Sequence, residues 1–382
     1  MSQSKTAFLE ANTSKLFVIL NAGLALLYFI VIAFWFPRGN TIFFGALIVG
    51  EIFHVWQVLT YLYTVFDVRQ PHTSDPSFQP PVDVFITVAG EPVEIVKETV
   101  EAALAMDYPH FEIYILNDGY VAKKDNWREM ESLAKELGVH CITRKTPGGA
   151  KAGNINNGAA HSKNEFIVIF DADHVPHSDF LEKTMGYFAS AKVGFVQSPQ
   201  YYKNHAENYI TQGAWEQQEL FFGAICKGKM RHDAVSMSGT NMVIRRTALN
   251  EAGGICETNI AEDFLTGLFI HERGWKSVYV PEILAEGLAP EDFLSYYKQQ
   301  FRWARGSLEV IFKYNPLFRS GLSWPQRIQY LASASYYLTG LVVLLNALFP
   351  LVFFYTGLVP FQTSTMALAV VFLPYIFITI YV

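Results

Sequence analysis

The sequence predicts a doubly wound α/β domain inserted between transmembrane helices. After residue 81, short runs of β-branched and aromatic residues alternate with amphipathic helical stretches, as expected for strands that alternate with helices. The chain has 382 residues and is 51% hydrophobic, and its long apolar stretches lie at its two ends. Apolar segments of about 20 residues match the thickness of a bilayer core. We therefore expect a middle domain that is anchored at both ends.

The first 68 residues contain two candidate membrane spans. Leu16 to Phe36 carries no charge, and Thr41 to Phe66 has Glu51 as its only charged residue. The first span is too long for a signal peptide and lacks a small-residue cleavage site, and the second follows after a short turn at 37–40. Residues 1–68 are therefore predicted to form a transmembrane hairpin.

Basic residues beside the spans predict their orientation. Lys5, Lys15, Arg69 and the basic residues after Lys298 all lie on the side of the middle domain, and Arg38 is the contrary charge. Basic flanks favour the cytoplasm. We expect a multi-pass protein of the plasma (inner) membrane with its middle domain in the cytosol.

Charge and cysteine usage exclude some classes of protein. The net charge of −6, without a stripe of basic residues, argues against a nucleic-acid partner. Cys141, Cys226 and Cys256 are odd in number and widely spaced, which fits a reducing compartment and gives no zinc pattern.

Residues 69–290 are predicted to form the α/β domain, after a proline-rich linker that ends near Pro81. The predicted strands are Val82–Val88, Phe111–Leu116, His140–Arg144, Phe166–Phe170 and Val193–Gln197, with helices over Glu91–Met106 and Asn126–Leu137. This order indicates a mainly parallel sheet. Ligands of such sheets bind beyond the carboxyl ends of the strands.

The remaining residues are predicted to return to the membrane. Residues 291–326 contain a long amphipathic stretch, Glu291 to Tyr314, which is typical of a helix at the membrane interface. Ile328 to Leu358 and Phe361 to Val382 are long enough to cross a bilayer. Because the chain stops without a charged flank, we expect the C-terminal transmembrane region, 327–382, to be incomplete.

Two acidic residues follow one predicted strand directly. Asp171 and Asp173 come after Phe166–Phe170, and alternation places both carboxylates on one side of the chain. Paired carboxylates suit Mg²⁺ or Mn²⁺, with the remaining positions open to a substrate diphosphate. The alternative is a solvated acidic turn or a helix cap.

Three further polar residues follow predicted strands or open a helix. Asp118 could accept hydrogen bonds from a base or ribose, or belong to an ordinary Asp-Gly turn. Glu91 could meet a nucleoside or cap a helix. Lys151 lies in the glycine-rich segment Gly148–Asn154, which could face a phosphate or be a plain loop.

Asp263 lies in the triplet Ala261-Glu262-Asp263, which begins a predicted helix running through His271. It is a candidate general base for an acceptor hydroxyl, a role worth about 10²–10⁴ in rate. Acidic residues are also favoured at helix starts by the helix dipole, so the residues alone do not decide between the two explanations.

Gln299, Arg302 and Trp303 have the spacing of one helix face. The guanidinium fork of an arginine can bind a diphosphate, and a tryptophan ring offers a flat apolar face to a sugar. The alternative is an interfacial helix on which Trp and Arg reach the lipid headgroups.

Glu51, His54 and Gln57 recur every three residues within the second span and should share a face. Polar residues at this depth usually face protein or a water-filled path. They could line a route for a polymer, or form a polar network that packs the helices.

The ordered motifs resemble those of the processive inverting glycosyltransferases, the family of the cellulose, chitin and hyaluronan synthases. The resemblance covers Val82 to Leu308. The motifs that carry it are LNDG at 116–119, KAGN at 151–154, FDADH at 170–174, EQQELFFG at 216–223, SGTN at 238–241, AED at 261–263 and QQFRW at 299–303. The fold that it implies is a Rossmann-like glycosyltransferase domain of the GT-A type.

The resemblance also implies a role for each matching residue. On the donor side, Asp118 would contact the nucleoside, Asp171 and Asp173 would hold the diphosphate and metal, and Gln299 and Arg302 would bind the diphosphate. Asp263 would be the base. On the acceptor side, Trp303 would stack under the acceptor sugar, and Phe222 would end the helix that touches the polymer. Ser238 lies in the acceptor-side turn, where cellulose synthases tend to carry Cys. Two further departures are NDG for the usual DDG and AED for the cellulose-type TED.

The implied activity is processive transfer of sugar with inversion to the non-reducing end of a growing β-glycan. UDP-glucose is the first expectation for the donor, with UDP-N-acetylglucosamine and GDP-mannose as alternatives. Coupling to export, and an export or regulatory protein partner, stay open. The competing hypotheses are a non-processive transferase that puts one sugar on a lipid phosphate carrier, and a transporter or channel with a regulatory domain.

Overall fold

The structure is a computed structural model that describes residues 14–382, so Lys5 lies outside the described residues. The described chain divides into two compact units. The first comprises residues 69–330, and the second combines residues 14–68 with residues 331–382.

The helical unit begins with two long apolar helices. Helix α1, Lys15–Ile30, continues as a π-helical segment, Val31–Trp35, and helix α2 spans Thr41–Val65. The side-chain oxygen of Asn40 accepts hydrogen bonds from the amides of Ile42 and Phe43, at 3.1 and 3.2 Å, and so caps α2. The predicted spans, Leu16–Phe36 and Thr41–Phe66, match the helical segments Lys15–Trp35 and Thr41–Val65 to within a residue at each end, with the π-helical segment counted as part of the first.

The strands of the first unit form two sheets. In chain order they are β1 (Val82–Val88), β2 (Phe111–Asn117), β3 (His140–Thr143), β4 (Phe166–Asp171), β5 (Val175–Pro176), β6 (Val193–Gln197), β7 (Tyr201–Tyr202), β8 (Met242–Arg245), β9 (Lys276–Tyr279) and β10 (Ala285–Gly287). The larger sheet has the order β3-β2-β1-β4-β8-β6-β9, and the smaller has the order β5-β10-β7. The α/β prediction is confirmed.

The large sheet is mainly parallel, as predicted, but it contains one reversed strand. β8 runs antiparallel to both of its neighbours, β4 and β6, while β1 is parallel to β2 and β4. The prediction missed β8 and β9, because each has four residues and shows too short a pattern to detect from sequence.

The helices of this unit cover both faces of the large sheet. They are α3 (Val93–Leu104), α4 (Trp127–Leu137), α5 (Ala150–His161), α6 (Phe180–Met185), α7 (Tyr209–Gln218), α8 (Lys227–Met230), α9 (Arg246–Ala252), α10 (Glu262–Glu272) and α11 (Phe293–Lys313). In β4, Val168 and Phe170 belong to the core on one face, and Ile167 and Ile169 to the core on the other. The two faces are therefore both buried, which explains the continuous apolar strands.

One helix boundary differs from the prediction. The helix that was expected to end near Phe222 continues from α7 through a π-helical segment, Glu219–Cys226, into α8. The Phe222 ring is 1% exposed and packs with Cys226 and Tyr279. The backbone carbonyl of Phe222 also accepts a 2.8 Å hydrogen bond from the Tyr279 hydroxyl. In this structure Phe222 therefore has no free surface for a sugar.

The C-terminal helices are α12 (Trp324–Ser335), α13 (Thr339–Thr356) and α14 (Thr365–Tyr381). Three described helical segments are long and apolar enough to cross a membrane: Lys15–Trp35, Thr41–Val65 and Trp324–Thr356. Thr365–Tyr381 is a shorter apolar helix.

Polar residues of α2 contact other helices of the helical unit. Glu51 accepts a 3.2 Å hydrogen bond from the Tyr28 hydroxyl of α1, and His54 Nε2 lies 2.6 Å from the Tyr375 hydroxyl of α14. Gln57 donates to the hydroxyl of Ser335 at 3.2 Å. These contacts form the helix-packing network that was one of the two predicted alternatives.

Candidate active site

The polar motifs meet at one edge of the large sheet. Strands β1, β2, β3 and β4 are parallel, so their carboxyl ends share that edge. Because β8 is reversed, the turn Ser238–Asn241 that precedes it reaches the same edge. The amide of Asp171 donates a 3.0 Å hydrogen bond to the hydroxyl of Thr240, which ties the turn to the end of β4.

Asn117, the residue that departs from the usual DDG, is fully buried at the end of β2. Its side-chain oxygen accepts from the Gly119 amide at 2.9 Å, and its nitrogen donates to the Trp127 carbonyl at 2.7 Å. A carboxylate has no proton to give to that carbonyl. The local surroundings therefore account for the asparagine, which holds the turn that carries Asp118.

Asp118 forms a buried ion pair that sequence analysis missed. Both of its carboxylate oxygens accept from the Arg144 guanidinium, from Nε at 2.7 Å and from Nη2 at 2.5 Å. Its amide donates to the Val88 carbonyl at 2.7 Å, which joins the ends of β1 and β2. The two-pronged contact fixes the plane of the carboxylate.

Lys151 connects the start of α5 to β4 and to the turn before β8. Its ammonium group contacts Asp171 Oδ1 and donates a 2.8 Å hydrogen bond to the Gly239 carbonyl. Burial alone would lower the pKa of Lys151, but the negative charges of Asp171 and Glu262 outweigh it and raise that pKa. Lys151 therefore carries a positive charge at neutral pH.

Asp173 is held by the next residue in the chain. His174 Nδ1 lies 3.0 Å from Asp173 Oδ1, and the imidazole is buried against Gly287 of β10. Burial would raise the pKa of Asp173, but the hydrogen bond and charge of His174 and the charge of Lys151 lower it overall. Asp173 is thus available as an anionic ligand.

The donor set of Asp171 and Asp173 fits a divalent cation. Carboxylate oxygens are hard ligands of the kind that Mg²⁺ and Mn²⁺ prefer. Within residues 14–382, no group of three or more His, Cys, Asp or Glu side chains is arranged to hold a metal. A cation at this pair would therefore need further oxygens from a ligand.

Asp263 lies in the first turn of α10, close to Gly239. A Cβ built on Gly239 would lie 3.0 Å from Asp263 Oδ2 and 3.5 Å from Lys151 Nζ. Burial, reinforced by the negative charge of Glu262, raises the pKa of Asp263 to about 7. A carboxyl group with such a pKa can accept a proton near neutral pH.

Helix α11 approaches α10 through a glycine that sequence analysis missed. A Cβ built on Gly306 would lie 2.5 Å from the Ala261 Cβ, so a larger residue at either position would separate the helices. Gly306 follows Arg302 by four residues and Trp303 by three. Arg302 is close enough for its charge to lower the pKa of Glu262, although burial dominates and leaves that pKa raised.

Glutamines link α11 to α7 and β7. Gln217 and Gln300 exchange two amide hydrogen bonds, at 3.0 and 2.8 Å. Gln218 donates to the Tyr202 hydroxyl at 3.3 Å, and Gln299 is close enough to that hydroxyl to lower its pKa, although burial dominates and leaves that pKa raised. The helix that carries Arg302 is therefore positioned by its neighbouring residues.

Glu91 and Ser238, two further predicted ligand contacts, form hydrogen bonds within the protein. Glu91 Oε2 accepts from the Ala89 amide at 2.6 Å and shapes the turn after β1. Ser238 binds through its backbone, since its amide donates to Gln197 Oε1 at 2.9 Å and its carbonyl accepts from Gln200 at 2.7 Å. Its hydroxyl oxygen is buried without a hydrogen-bond partner in the described residues. The ligand contacts of both residues stay predictions.

This arrangement coincides with a match to known families. Residues 80–306 match the family described as glycosyltransferase-like family 2, which is more than half of the chain. The chain belongs to the glycosyltransferase 2-like family. Residues 245–382 also match the cellulose synthase family, as the motifs predicted. The expectation of a glycosyltransferase is confirmed at the level of the family.

Curated relatives extend the similarity over most of the chain. Cellulose synthase 1 of Komagataeibacter xylinus is 32% identical over 345 residues, which cover 87% of this chain and 22% of that protein. The UDP-forming cellulose synthase catalytic subunit of Pseudomonas fluorescens (strain SBW25) is 33% identical over 346 residues, covering 87% and 46% respectively. The chain thus spans less than half the length of these relatives.

A solved structure has the same fold. The mannosyltransferase PcManGT from Pyrobaculum calidifontis, in complex with GDP-Man and Mn²⁺, superposes with a TM-score of 0.59 at 18% identity, covering 88% of this chain and 95% of that one. The likeness confirms the fold predicted for the glycosyltransferase 2-like chain.

Proposed function

We propose that this chain is a membrane-anchored, processive, inverting glycosyltransferase that transfers glucose from UDP-glucose to the non-reducing end of a growing β-glycan. One observation carries the proposal: the candidate base Asp263 and the donor-side cation Lys151 both lie beside Gly239, at 3.0 and 3.5 Å from the position of a Cβ on that residue. An acceptor hydroxyl bound at Asp263 would thus lie beside the group that holds the donor diphosphate. The identity of the relatives supports the choice of donor and product.

Asp263 would act as the general base. The acceptor hydroxyl gives its proton to Asp263 while its oxygen attacks the anomeric carbon of the donor. The bond from that carbon to the diphosphate oxygen breaks in the same step, so UDP leaves and the configuration inverts. One displacement needs no covalent enzyme intermediate, and the pKa of Asp263, raised by burial to about 7, suits this role.

The donor would be held by groups at the carboxyl edge of the sheet. Asp118 and Glu91 would face the nucleoside, and Lys151, Gln299 and Arg302 the diphosphate. The cations Lys151 and Arg302 would stabilise the negative charge that develops on the leaving UDP. A divalent cation, Mg²⁺ or Mn²⁺, held by Asp171 and Asp173 would supply further positive charge to the diphosphate when bound.

The acceptor would lie on the side of α11. The Trp303 ring would stack under the terminal sugar, and the buried hydroxyl of Ser238, which lacks a partner among the described residues, would bond to it. The apolar helices 15–35, 41–65 and 324–356 would anchor the catalytic unit to the plasma membrane, with that unit in the cytosol.

The proposal is tested with the purified protein reconstituted into liposomes, in a buffer that contains Mg²⁺ or Mn²⁺. Each of UDP-glucose, UDP-N-acetylglucosamine and GDP-mannose is supplied in radiolabelled form, and products are digested with linkage-specific hydrolases. A long β-glucan made from UDP-glucose alone is the expected result. Short lipid-linked sugars would instead establish the non-processive transferase, and a polymer from another donor would correct the sugar.

A further inference from the structure

The guanidinium group of Arg144 lies between two loops of the site. Arg144 follows β3 directly and is 8% exposed. Two of its nitrogens bind both carboxylate oxygens of Asp118, at 2.7 and 2.5 Å. Every further hydrogen bond of this side chain goes to the glycine-rich loop that opens α5.

Those further bonds go to two backbone carbonyls. Arg144 Nη1 donates to the Gly148 carbonyl, and Nη2 donates to the Ala150 carbonyl at 3.0 Å. Gly153 leaves room for this group, since a Cβ there would lie 2.6 Å from Arg144 Nη1. One buried side chain thus contacts the loop on both sides of Gly149.

The loop needs an external restraint. Gly148, Gly149 and Ala150 have consecutive φ angles of 146°, 65° and 45°. The value at Ala150 is unfavourable for a residue with a Cβ, and such conformations persist where the surroundings hold them. The next residue is Lys151, so the conformation of Ala150 sets where the Lys151 side chain starts.

Little protein covers the outer side of the loop. An open cleft of about 480 Å³ adjoins it, lined by Lys145, Pro147, Asn157 and His161 among others. Glu257 packs against Gly149, but it is the Arg144 guanidinium that holds the two carbonyls on the buried side. Arg144 is therefore the side chain that restrains the loop carbonyls from the buried side.

We propose that Arg144 is a positioning residue that couples the nucleoside side of the donor site to its phosphate side. Through Asp118 it sets the carboxylate that faces the nucleoside, and through Ala150 it sets the placement of Lys151. The proposal rests on the proposed function for the identity of the ligand. It makes the two halves of the site respond together to a change at one residue.

The test uses Arg144→Lys, which keeps the positive charge but removes the guanidinium group that binds both carboxylate oxygens of Asp118. Arg246→Lys is the matched control, because Arg246 also binds an aspartate, Asp83, at 2.7 Å and a backbone carbonyl, that of Asn164, at 2.6 Å. Asp83 lies near the start of β1, at the opposite edge of the sheet. Both variants lose a guanidinium that binds an aspartate and backbone carbonyls, but only Arg144 contacts the site.

The first measurement is amide hydrogen exchange in the purified protein without nucleotide. We expect exchange of the amides of 150–154 to be at least tenfold faster in Arg144→Lys than in Arg246→Lys. The second is the affinity for UDP by calorimetry, which should fall at least tenfold in Arg144→Lys and less than twofold in the control. The double variant Arg144→Lys/Lys151→Met should lose less UDP affinity than the two single variants predict, that is, less than the product of their separate fold-losses.

Each outcome decides a different point. Unchanged exchange at 150–154 in Arg144→Lys would overturn the positioning role, whatever happens to UDP binding. Multiplicative effects of the Arg144 and Lys151 substitutions would overturn the coupling. If exchange at 150–154 is faster in Arg144→Lys but the wild type binds no nucleotide, the restraint by Arg144 is supported and the proposed function is refuted.

Discussion

Lys151 donates a 2.8 Å hydrogen bond to the backbone carbonyl of Gly239, and this contact joins the glycine-rich loop to the turn beside Asp263. The same ammonium group contacts Asp171. A single cation therefore links the end of β4, the start of α5 and the turn before β8.

Asp263→Asn should reduce sugar transfer by about 10²–10⁴, because an amide cannot accept the proton of the acceptor hydroxyl. UDP binding, measured by calorimetry, should stay within about twofold of wild type, since the assigned donor contacts are unchanged. Transfer at the wild-type rate would refute the role of Asp263 as the base.

The rate of transfer should fall as the pH decreases through about 7. The base must be deprotonated to act, and burial raises the pKa of Asp263 to about 7. Initial rates between pH 5.5 and 8.5 at saturating donor measure this dependence. A rate that is constant down to pH 5.5 would show that no group with such a pKa limits the reaction.

The same shift predicts how Asp263→Asn changes stability. The folded-state pKa is raised above the unfolded value, about 3.9, so the wild type loses stability as the pH rises from about 4 to about 7. The asparagine variant lacks this loss. Its melting temperature in detergent should exceed that of the wild type by an amount that grows over this range and then levels off. A difference in melting temperature that becomes smaller as the pH rises would contradict a raised pKa of Asp263 in the folded state.

Gly239→Ala should reduce transfer at least about tenfold. Gly239 has φ +78°, and the added Cβ would lie 3.0 Å from Asp263 Oδ2, so the carboxylate or the turn must move. Gly138→Ala is the matched control, because Gly138 has φ +70° and no atom near the added Cβ. Both variants should lose stability, but only Gly239→Ala should lose turnover. Equal turnover in both would refute the positioning of Asp263 by this turn.

Gly287→Ala should weaken metal-dependent UDP binding. The new Cβ would lie 2.5 Å from His174 Nε2 and Cε1, so the imidazole that holds Asp173 must shift. Calorimetry with and without Mn²⁺ measures the effect. Gly213→Ala in α7 has open space around the added Cβ and should bind as the wild type does. If Gly287→Ala weakens UDP binding equally with and without Mn²⁺, the substitution acts elsewhere than at the Asp173 site.

The prediction from sequence was most accurate where a physical pattern is long. Strands such as Val82–Val88 and Val193–Gln197 begin and end as predicted, because strands that are buried on both faces of a sheet are mostly apolar and stand out from the polar segments beside them. The four residues of Met242–Arg245 are too few to show a period, so the reversed strand was missed. The extra length of the helix around Phe222 was missed because a π-helical segment has no pattern of its own.

The candidate site could be predicted residue by residue but not as a geometry. The motifs identified Asp171, Lys151 and Asp263, whereas their meeting at Gly239 depends on the direction of β8. Arg144 and Gly306 were missed for a different reason. Their roles are contacts with Asp118 and Ala261, which are distant in sequence, and neither residue stands out by type or spacing.

The reversed strand divides the site into a fixed part and an adjustable part. β8 is hydrogen-bonded along both edges, so the turn before it cannot move without the sheet. Helix α11 is attached instead by side chains: the amides of Gln217 and Gln300, the close approach of Gly306 to Ala261, and the packing of Val310 against Leu265 and Leu268. A displacement of α11 would therefore shift Trp303 together with Gln299 and Arg302, the proposed diphosphate contacts, while the turn at Gly239 keeps its place. The proposed acceptor contact and the arginine contact with the diphosphate would then change together, whereas the turn beside the proposed base would not.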